Sequence, residues 1–208
     1  MIIGITGEIG VGKSFVASCF KKFGAAIFDA DFIVHQLYKA DKSIINYAKK
    51  NFPEVIISGK INRLVLSKYF LAYDKCWLEF ESLVHSAVLQ KLKLFFARER
   101  RVGRELLVLD IPLLLETKLH LYCDFIIFVH ANRAIYNQRL SKRNLDDRVL
   151  NLIRNIQFPL QLKKNLSNFT LNAGLNKGHV LLQIKEIITE AKKEIEFLKY
   201  YINTNLMF

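Results

Sequence analysis

Gly7-Glu8-Ile9-Gly10-Val11-Gly12-Lys13-Ser14 has the spacing GxxxxGK[ST] and follows an apolar, strand-like run. These residue types suit the capture of a polyphosphate. The glycines open backbone angles that let successive N–H groups face one anion. A helix beginning after the loop turns its positive end toward the same anion. Lys13 adds a mobile charge for the β and γ phosphates, and the Ser14 hydroxyl is placed to ligate Mg²⁺. A dinucleotide fingerprint is excluded, because the third position after Gly10-Val11-Gly12 is Phe15 where Gly or Ala is required. The expected ligand is a nucleoside triphosphate with Mg²⁺.

Two further sets of charged residues carry possible chemistry. Phe28-Asp29-Ala30-Asp31 closes the second strand-like run just before a helical stretch. Asp31 could take a proton from an attacking hydroxyl or hold Mg²⁺ through water, or it could simply cap the helix. Asp110 ends the apolar run Leu106–Asp110, as a Walker B acid does, and could serve the metal or the substrate side. Arg139 and Arg143 are four residues apart and share a helix face. With Lys142 and Arg148 they could close over a triphosphate and spread transition-state charge, or they could be a solvated face. His85 lies among apolar helical residues, where a partly buried, satisfied histidine is the simpler reading.

The elements that must position these residues alternate short apolar runs with longer helical stretches, the pattern of βαβ units. Strands are expected at Ile2–Thr6, Ala25–Phe28, Leu106–Asp110, Phe125–His130 and Phe169–Leu171, with helices on both faces. Helical stripes run through Phe80, Leu83, Val84, Ala87 and Val88, and through Ile184, Ile187, Ile188, Ala191, Ile195 and Leu198. The expected fold is α/β, a P-loop NTPase-type parallel sheet of about five strands. Core segments at about 1–30, 105–131 and 165–208 are interrupted by a helical insertion at about 31–104 and an Arg-rich helical excursion at about 132–162. No core strand is expected within the insertion, only helices joined around Asn51–Pro53 and Ser58–Asn62.

Composition narrows the class further. The chain has 208 residues, 51% hydrophobic, with 31 Lys+Arg against 19 Asp+Glu and a formal net charge of +12. That size supports a core without staples, and the apolar content excludes disorder. Charges interrupt every apolar run, so no membrane span is expected, and MIIGITGEIG lacks the pattern of a signal peptide. Cys19, Cys76 and Cys123 form no CxxC pair, which points to reduced cysteines of a cytoplasmic protein. The basic excess fits nucleic acid, an anionic membrane or a small substrate carrying several phosphates. Arg98, Arg100, Arg101 and Arg104 around Glu99 read as a solvated helix end or an anion patch.

Taken in order, the motifs resemble the dephospho-CoA kinase family. The resemblance rests on Gly4-Ile5-Thr6-Gly7 leading into the phosphate loop, Phe28-Asp29-Ala30-Asp31, Gly59 with Arg63, and Leu83-Val84-His85. It continues through Asp110-Ile111-Pro112-Leu113-Leu114-Leu115-Glu116, Gln138-Arg139-Leu140 with Arg143, and Asn172. It implies transfer of the ATP γ-phosphoryl group to the ribose 3′-hydroxyl of dephospho-CoA by a core, a helical substrate domain and a lid at about 132–162. The resemblance assigns Asp31 as general base, with Thr6, Arg63, His85 and Asp110 on the acceptor side. Lys13 and Arg139 join Asp31 in catalysis. ATP falls to Gly7 through Phe15 together with Arg143 in the lid and Asn172 near the adenine. The partner implied is a small molecule, with no nucleic acid and no membrane; a monomer is expected, with higher oligomers left open. Departures from the family pattern are Glu8 for glycine, Val11 for serine or alanine, His85-Ser86 for His-Pro, and Ser167-Asn168 for Ala-Asp. A nucleoside monophosphate kinase, and a GTPase-like nucleic-acid-binding switch without the guanine-reading NKxD, are the competing readings.

Overall fold

The computed structural model describes residues 1–67, 69, 75–142 and 147–205. Contacts divide the chain into two compact units, Met1–Phe28 with Gly103–Phe208, and Asp29–Val102. In chain order the elements are β1 (Ile2–Gly7), α1 (Lys13–Phe20), β2 (Ala26–Asp29), α2 (Ala30–Ala40), α3 (Lys42–Asn51), β3 (Ile56–Ile57), β4 (Lys60–Ile61), α4 (Arg63–Leu66) and α5 (Lys75–Arg101). They continue with β5 (Leu107–Asp110), β6 (Phe125–His130), α6 (Arg133–Ser141), α7 (Asp147–Ile156), α8 (Leu160–Asn165), β7 (Phe169–Asn172) and α9 (Lys177–Asn205).

In the first unit the five longer strands form one sheet in the order β2-β5-β1-β6-β7. β1 runs parallel to both β5 and β6, and β6 parallel to β7. Every strand end falls within one residue of the pattern-based expectation. Side chains alternate across a sheet, and here both faces are buried. Ile3, Ile5, Val108, Ile127, Val129 and Leu171 pack against Val16, Ala17 and Phe20 of α1 and Val180, Ile184 and Ile187 of α9. Leu107, Leu109, Ile126 and Phe128 are buried on the other face, which explains why the runs lack apolar–polar alternation. On that second face Gly4 has no room for a side chain. A Cβ there would lie 2.5 Å from Leu114 Cδ2 and 2.7 Å from Cys123 Sγ, so the segment following β5 rests directly on β1.

The stripe on α9 is core only as far as Ala191; Ile195 is half-buried and Leu198 is 49% exposed. Its length explains the overrun. A helix of 29 residues extends about 43 Å, whereas the strands it covers extend about 13–20 Å. No helix among the described residues is long and apolar enough to cross a membrane.

A buried ion pair ties the segment following β5 to α8. Lys163, fully buried, places Nζ 2.8 Å from Glu116 Oε1, and the Glu116 side chain is only 7% exposed. The backbone N–H of Phe158 donates to the same oxygen at 2.8 Å. The carboxylate that closes the Asp110–Glu116 motif therefore anchors the return of the chain from α7 to the sheet.

The second unit is helical apart from one feature that the sequence pattern did not suggest. β3 and β4 pair as a hairpin whose two turn residues, Ser58 and Gly59, have φ of 50° and 75°. Two left-handed central residues are the requirement of a tight hairpin turn. Strands of two residues are too short to show alternation, so only the turn was legible. The unit's core gathers rings around the fully buried Phe80, with Tyr38, Tyr47, Phe52 and Trp77 at centroid distances of 5.7–6.2 Å. At the basic end of α5, Glu99 is buried and holds Arg98 at 2.7 Å, so that cluster is partly structural.

Removing one member of the Lys163–Glu116 pair strands a buried charge, which costs about 3–5 kcal/mol. Urea unfolding of Glu116→Leu and Lys163→Met should each show a loss of that order. The double variant should recover most of it; three equal losses would mean that the pairing contributes little.

Candidate active site

The phosphate loop begins where β1 meets a steric limit. Gly7 has φ of 148°, and a Cβ there would strike the carbonyl oxygen of Val129 on the neighbouring strand. Gly12, with φ of 112°, is the residue from which α1 starts. The Lys13 ammonium folds back over the loop and donates to the carbonyls of Gly7 (3.1 Å) and Glu8 (2.9 Å). Ser14 is exposed at the start of α1. Val11 is turned inward, 3% exposed and part of the main core. The departure at that position is a packing choice.

Helix capping bears on the electrostatics of the site. Asp29, Asp41, Asn62 and Asn132 cap α2, α3, α4 and α6 through side-chain oxygens. α1 has no side-chain cap and no acid in its first turn. Its leading N–H groups and positive end are left for an anion.

Arg139 locks the loop from the side. From α6 its Nη1 donates to the Val11 carbonyl at 2.5 Å and its Nη2 to the Ala173 carbonyl at 2.8 Å. These bonds exclude the solvated-face alternative for this residue. Arg143 lies outside the described residues. Asn172 shapes the turn after β7: its Oδ1 accepts from Gly174 N at 2.9 Å, while Gln183 of α9 bridges its N–H and carbonyl. Gln183 and the Ala173 carbonyl carried no motif and went unnoticed in the sequence. Asn168 likewise has a structural task, exchanging bonds of 2.8 and 2.9 Å with the Ile126 backbone to start the β6–β7 pairing.

Asp110 is 5% exposed at the end of β5. Thr6, expected on the acceptor side, is fully buried in β1 with its Oγ1 unpartnered among the described residues. The alternation of β1 sends its side chain into the second face of the sheet. Glu8 lines a cavity together with Tyr136. Burial raises the Tyr136 phenol and the Glu8 carboxylate adds to the rise, while Arg154 Nη2 approaches the hydroxyl to 3.5 Å.

Within the second unit the two aspartates of the Asp-Ala-Asp segment have separate tasks. Asp29, not Asp31, caps α2, its Oδ1 accepting from Phe32 N at 2.9 Å. A cap residue must be extended, and Asp29 is (φ −100°, ψ 104°), whereas Asp31 already lies in the first turn. Asp31 is exposed and makes no hydrogen bond or ion pair among the described residues. Tyr38 lies two turns further along the same face of α2. Burial pushes its phenol up to about 12 against the lowering effect of Arg63, with Glu81 adding to the rise. Arg63 is exposed at the start of α4, and His85, one turn after Glu81 on α5, is exposed as well. His85 is therefore not the satisfied, partly buried histidine that its apolar neighbours suggested. Tyr38 was legible only through its spacing of seven from Asp31.

A nucleotide-binding loop at the end of the central strand β1, in a parallel sheet of this order, defines the P-loop kinase fold. Over residues 1–178 the chain matches the family model described as dephospho-CoA kinase. It is 60% identical over 188 residues to the dephospho-CoA kinase of Wolbachia sp. subsp. Brugia malayi (strain TRS), covering 90% of this chain and 96% of that one. Among solved structures it is similar to TT1252 from Thermus thermophilus, with a TM-score of 0.74, 26% identity, and 91% and 97% of the two chains covered. The dephospho-CoA kinase from Campylobacter jejuni shares the fold at a TM-score of 0.66 and 16% identity, over 93% and 98% of the chains. The chain belongs to the dephospho-CoA kinase family, a family of ATP-dependent phosphotransferases.

Arg139→Lys keeps the charge, but one ammonium cannot span the two carbonyls that the guanidinium joins. The variant should lose about 1–2 kcal/mol in urea unfolding and bind ATP several-fold more weakly by equilibrium dialysis. Wild-type values in both would remove the loop-locking role.

Proposed function

We propose that this chain transfers the γ-phosphoryl group of ATP to the ribose 3′-hydroxyl of dephospho-CoA, giving coenzyme A and ADP. The observation that carries the reading is the free carboxylate of Asp31 beside the capping carboxylate of Asp29. An alcohol acceptor must lose a proton as it attacks, so a positioned base is needed. An acceptor that is already a phosphate has no such need, which disfavours a nucleoside monophosphate kinase.

In this mechanism the 3′-oxygen bonds to Pγ as the bond from Pγ to the β-bridging oxygen breaks, and the hydroxyl proton passes to Asp31. Lys13 and the N–H groups of Gly7–Phe15 take up charge on the phosphates, and Arg139 fixes the loop that presents them. Arg63 and His85, both exposed, are assigned to the acceptor and its phosphates, with Asp110 at the end of β5. The turn at Asn172 is assigned to the adenine, and the segment 132–162, with Arg143, to a lid. The residues also fit a magnesium ion. Ser14 offers an uncommitted hydroxyl at the start of α1, and the described residues hold no cluster of three or more acidic or histidine ligands. That is the sparse protein contribution expected where phosphates and water supply most ligands. Bound there, Mg²⁺ would offset phosphate charge. We assign the working state to a monomer in the cytoplasm, consistent with three free cysteines.

Asp31→Asn preserves shape and removes the basic oxygen. With dephospho-CoA as acceptor, kcat should fall by roughly 10²–10⁴, with little change in ATP affinity. Asp29→Asn keeps an oxygen that can still cap α2 and should stay within a few-fold of wild type. The opposite ranking would assign the base to Asp29, and two active variants would remove carboxylate base catalysis altogether.

A further inference from the structure

The acid at Glu8 is the least expected residue of the phosphate loop, since a carboxylate there faces the polyphosphate that the loop exists to hold. The structure shows what engages it. α6 meets the loop along one face, formed by Tyr136, Arg139 and Leu140 at the i, i+3 and i+4 spacing of helix neighbours. Arg139 holds the Val11 carbonyl. Leu140 Cδ1 lies 3.5 Å from where a Cβ on Gly10 would be. Tyr136 meets Glu8. The Tyr136 ring is 2% exposed, with the Arg133 guanidinium stacked 5.2 Å from its centroid. Its hydroxyl accepts from Arg154 Nη2 of α7 at 3.5 Å. Burial raises the phenol's pKa, and the Glu8 carboxylate, on the wall of a shared cavity, adds to the rise. Glu8, Arg133 and Tyr136 line that cavity, of about 330 Å³, at the end of β6, with His130, Gln161 and Lys164 completing its polar wall.

We propose that Glu8 is a positioning residue which acts through the Tyr136 hydroxyl to seat Arg154, and with it α7, against α6 at the mouth of the phosphate loop. A phenol hydroxyl can donate to a carboxylate and accept from a guanidinium at once. One buried hydroxyl thus joins an acid of the loop to a cation of the next helix. The arrangement turns the Glu8 charge away from the phosphates and opposes it with a cation. It also keeps α7 in register with the loop before nucleotide arrives, so that less ordering remains to be done at the moment of transfer. A glycine at position 8 supplies neither effect. Glu8 and Arg154 are coupled because each acts on Tyr136. The role in transfer rests on the reading of 132–162 as a lid.

The test is a mutant cycle in the full-length protein. Tyr136→Phe keeps the ring, its burial and the stacked Arg133, and removes only the hydroxyl. Turnover of dephospho-CoA should fall about 3–10-fold in Glu8→Gln, Arg154→Met and Tyr136→Phe. The Tm should stay within a few degrees, and the KM for ATP should change less than kcat. The Glu8→Gln/Arg154→Met double variant should be no slower than the slower single, and the coupling should vanish when Tyr136→Phe is the background. Trypsin cleavage after Arg148, a site that every variant keeps, followed without any substrate, should speed up in the same three variants and with the same non-additivity. If the acceptor has been misassigned, the turnover arm is silent for the wild type too, while the proteolysis arm still decides. Multiplicative effects of Glu8→Gln and Arg154→Met, or a Tyr136→Phe protein equal to wild type in cleavage rate, would overturn the proposal.

Discussion

A polyphosphate held by backbone N–H groups requires a loop that is bare of side chains toward the ligand and yet rigid, and most of the first unit serves those two demands. Bareness comes from Gly7, which the Val129 carbonyl would not allow to be anything larger, and from Gly12, which opens α1 without a cap. Rigidity comes from contacts on the loop's other sides. Val11 is sunk in the core, Lys13 is strapped to two loop carbonyls, and Arg139 bolts the loop to the turn after β7. An isolated strand–loop–helix could satisfy neither demand. The parallel sheet is needed because its neighbouring strand supplies the wall against which the loop is set.

In the proposed mechanism the second unit answers a different demand, that of an alcohol acceptor. Its helices are begun by side-chain caps and closed over a cluster of aromatic rings, leaving polar groups on the outside of a stable frame. The Asp-Ala-Asp segment shows how function and stability are separated at short range. The helix start consumes the first carboxylate, and the same helix geometry lifts the second into solvent. With Asp31 as the proposed base, stability at this point does not compete with chemistry, because the two tasks fall on different residues.

Much of this was legible in the chain, and the limits have physical causes. The sheet was readable because strands buried on both faces are continuous apolar runs, and the loop because its chemistry fixes residue types. Which aspartate caps α2 was not readable, since both spacings permit a cap and only the backbone angle at Asp29 decides. The hairpin at Ser58-Gly59 was hidden by strands of two residues. The exposure of His85 was not readable because apolar neighbours in sequence are not neighbours around a helix. The roles of Gln183, Ala173 and Tyr136 depend on contacts between residues distant in sequence, or on backbone carbonyls, and leave no local pattern.

The central claim is that this loop delivers the γ-phosphoryl group to a ribose 3′-hydroxyl. Its most direct test is ADP release by the purified wild-type chain with ATP and Mg²⁺ across a panel of acceptors, with the product's phosphorus positions assigned by NMR. Dephospho-CoA should support turnover and yield a new 3′-phosphomonoester, while AMP, CMP, UMP and shikimate should leave the rate at background. Turnover of a nucleoside monophosphate without turnover of dephospho-CoA, or phosphorylation at any position other than the 3′-hydroxyl, would contradict it.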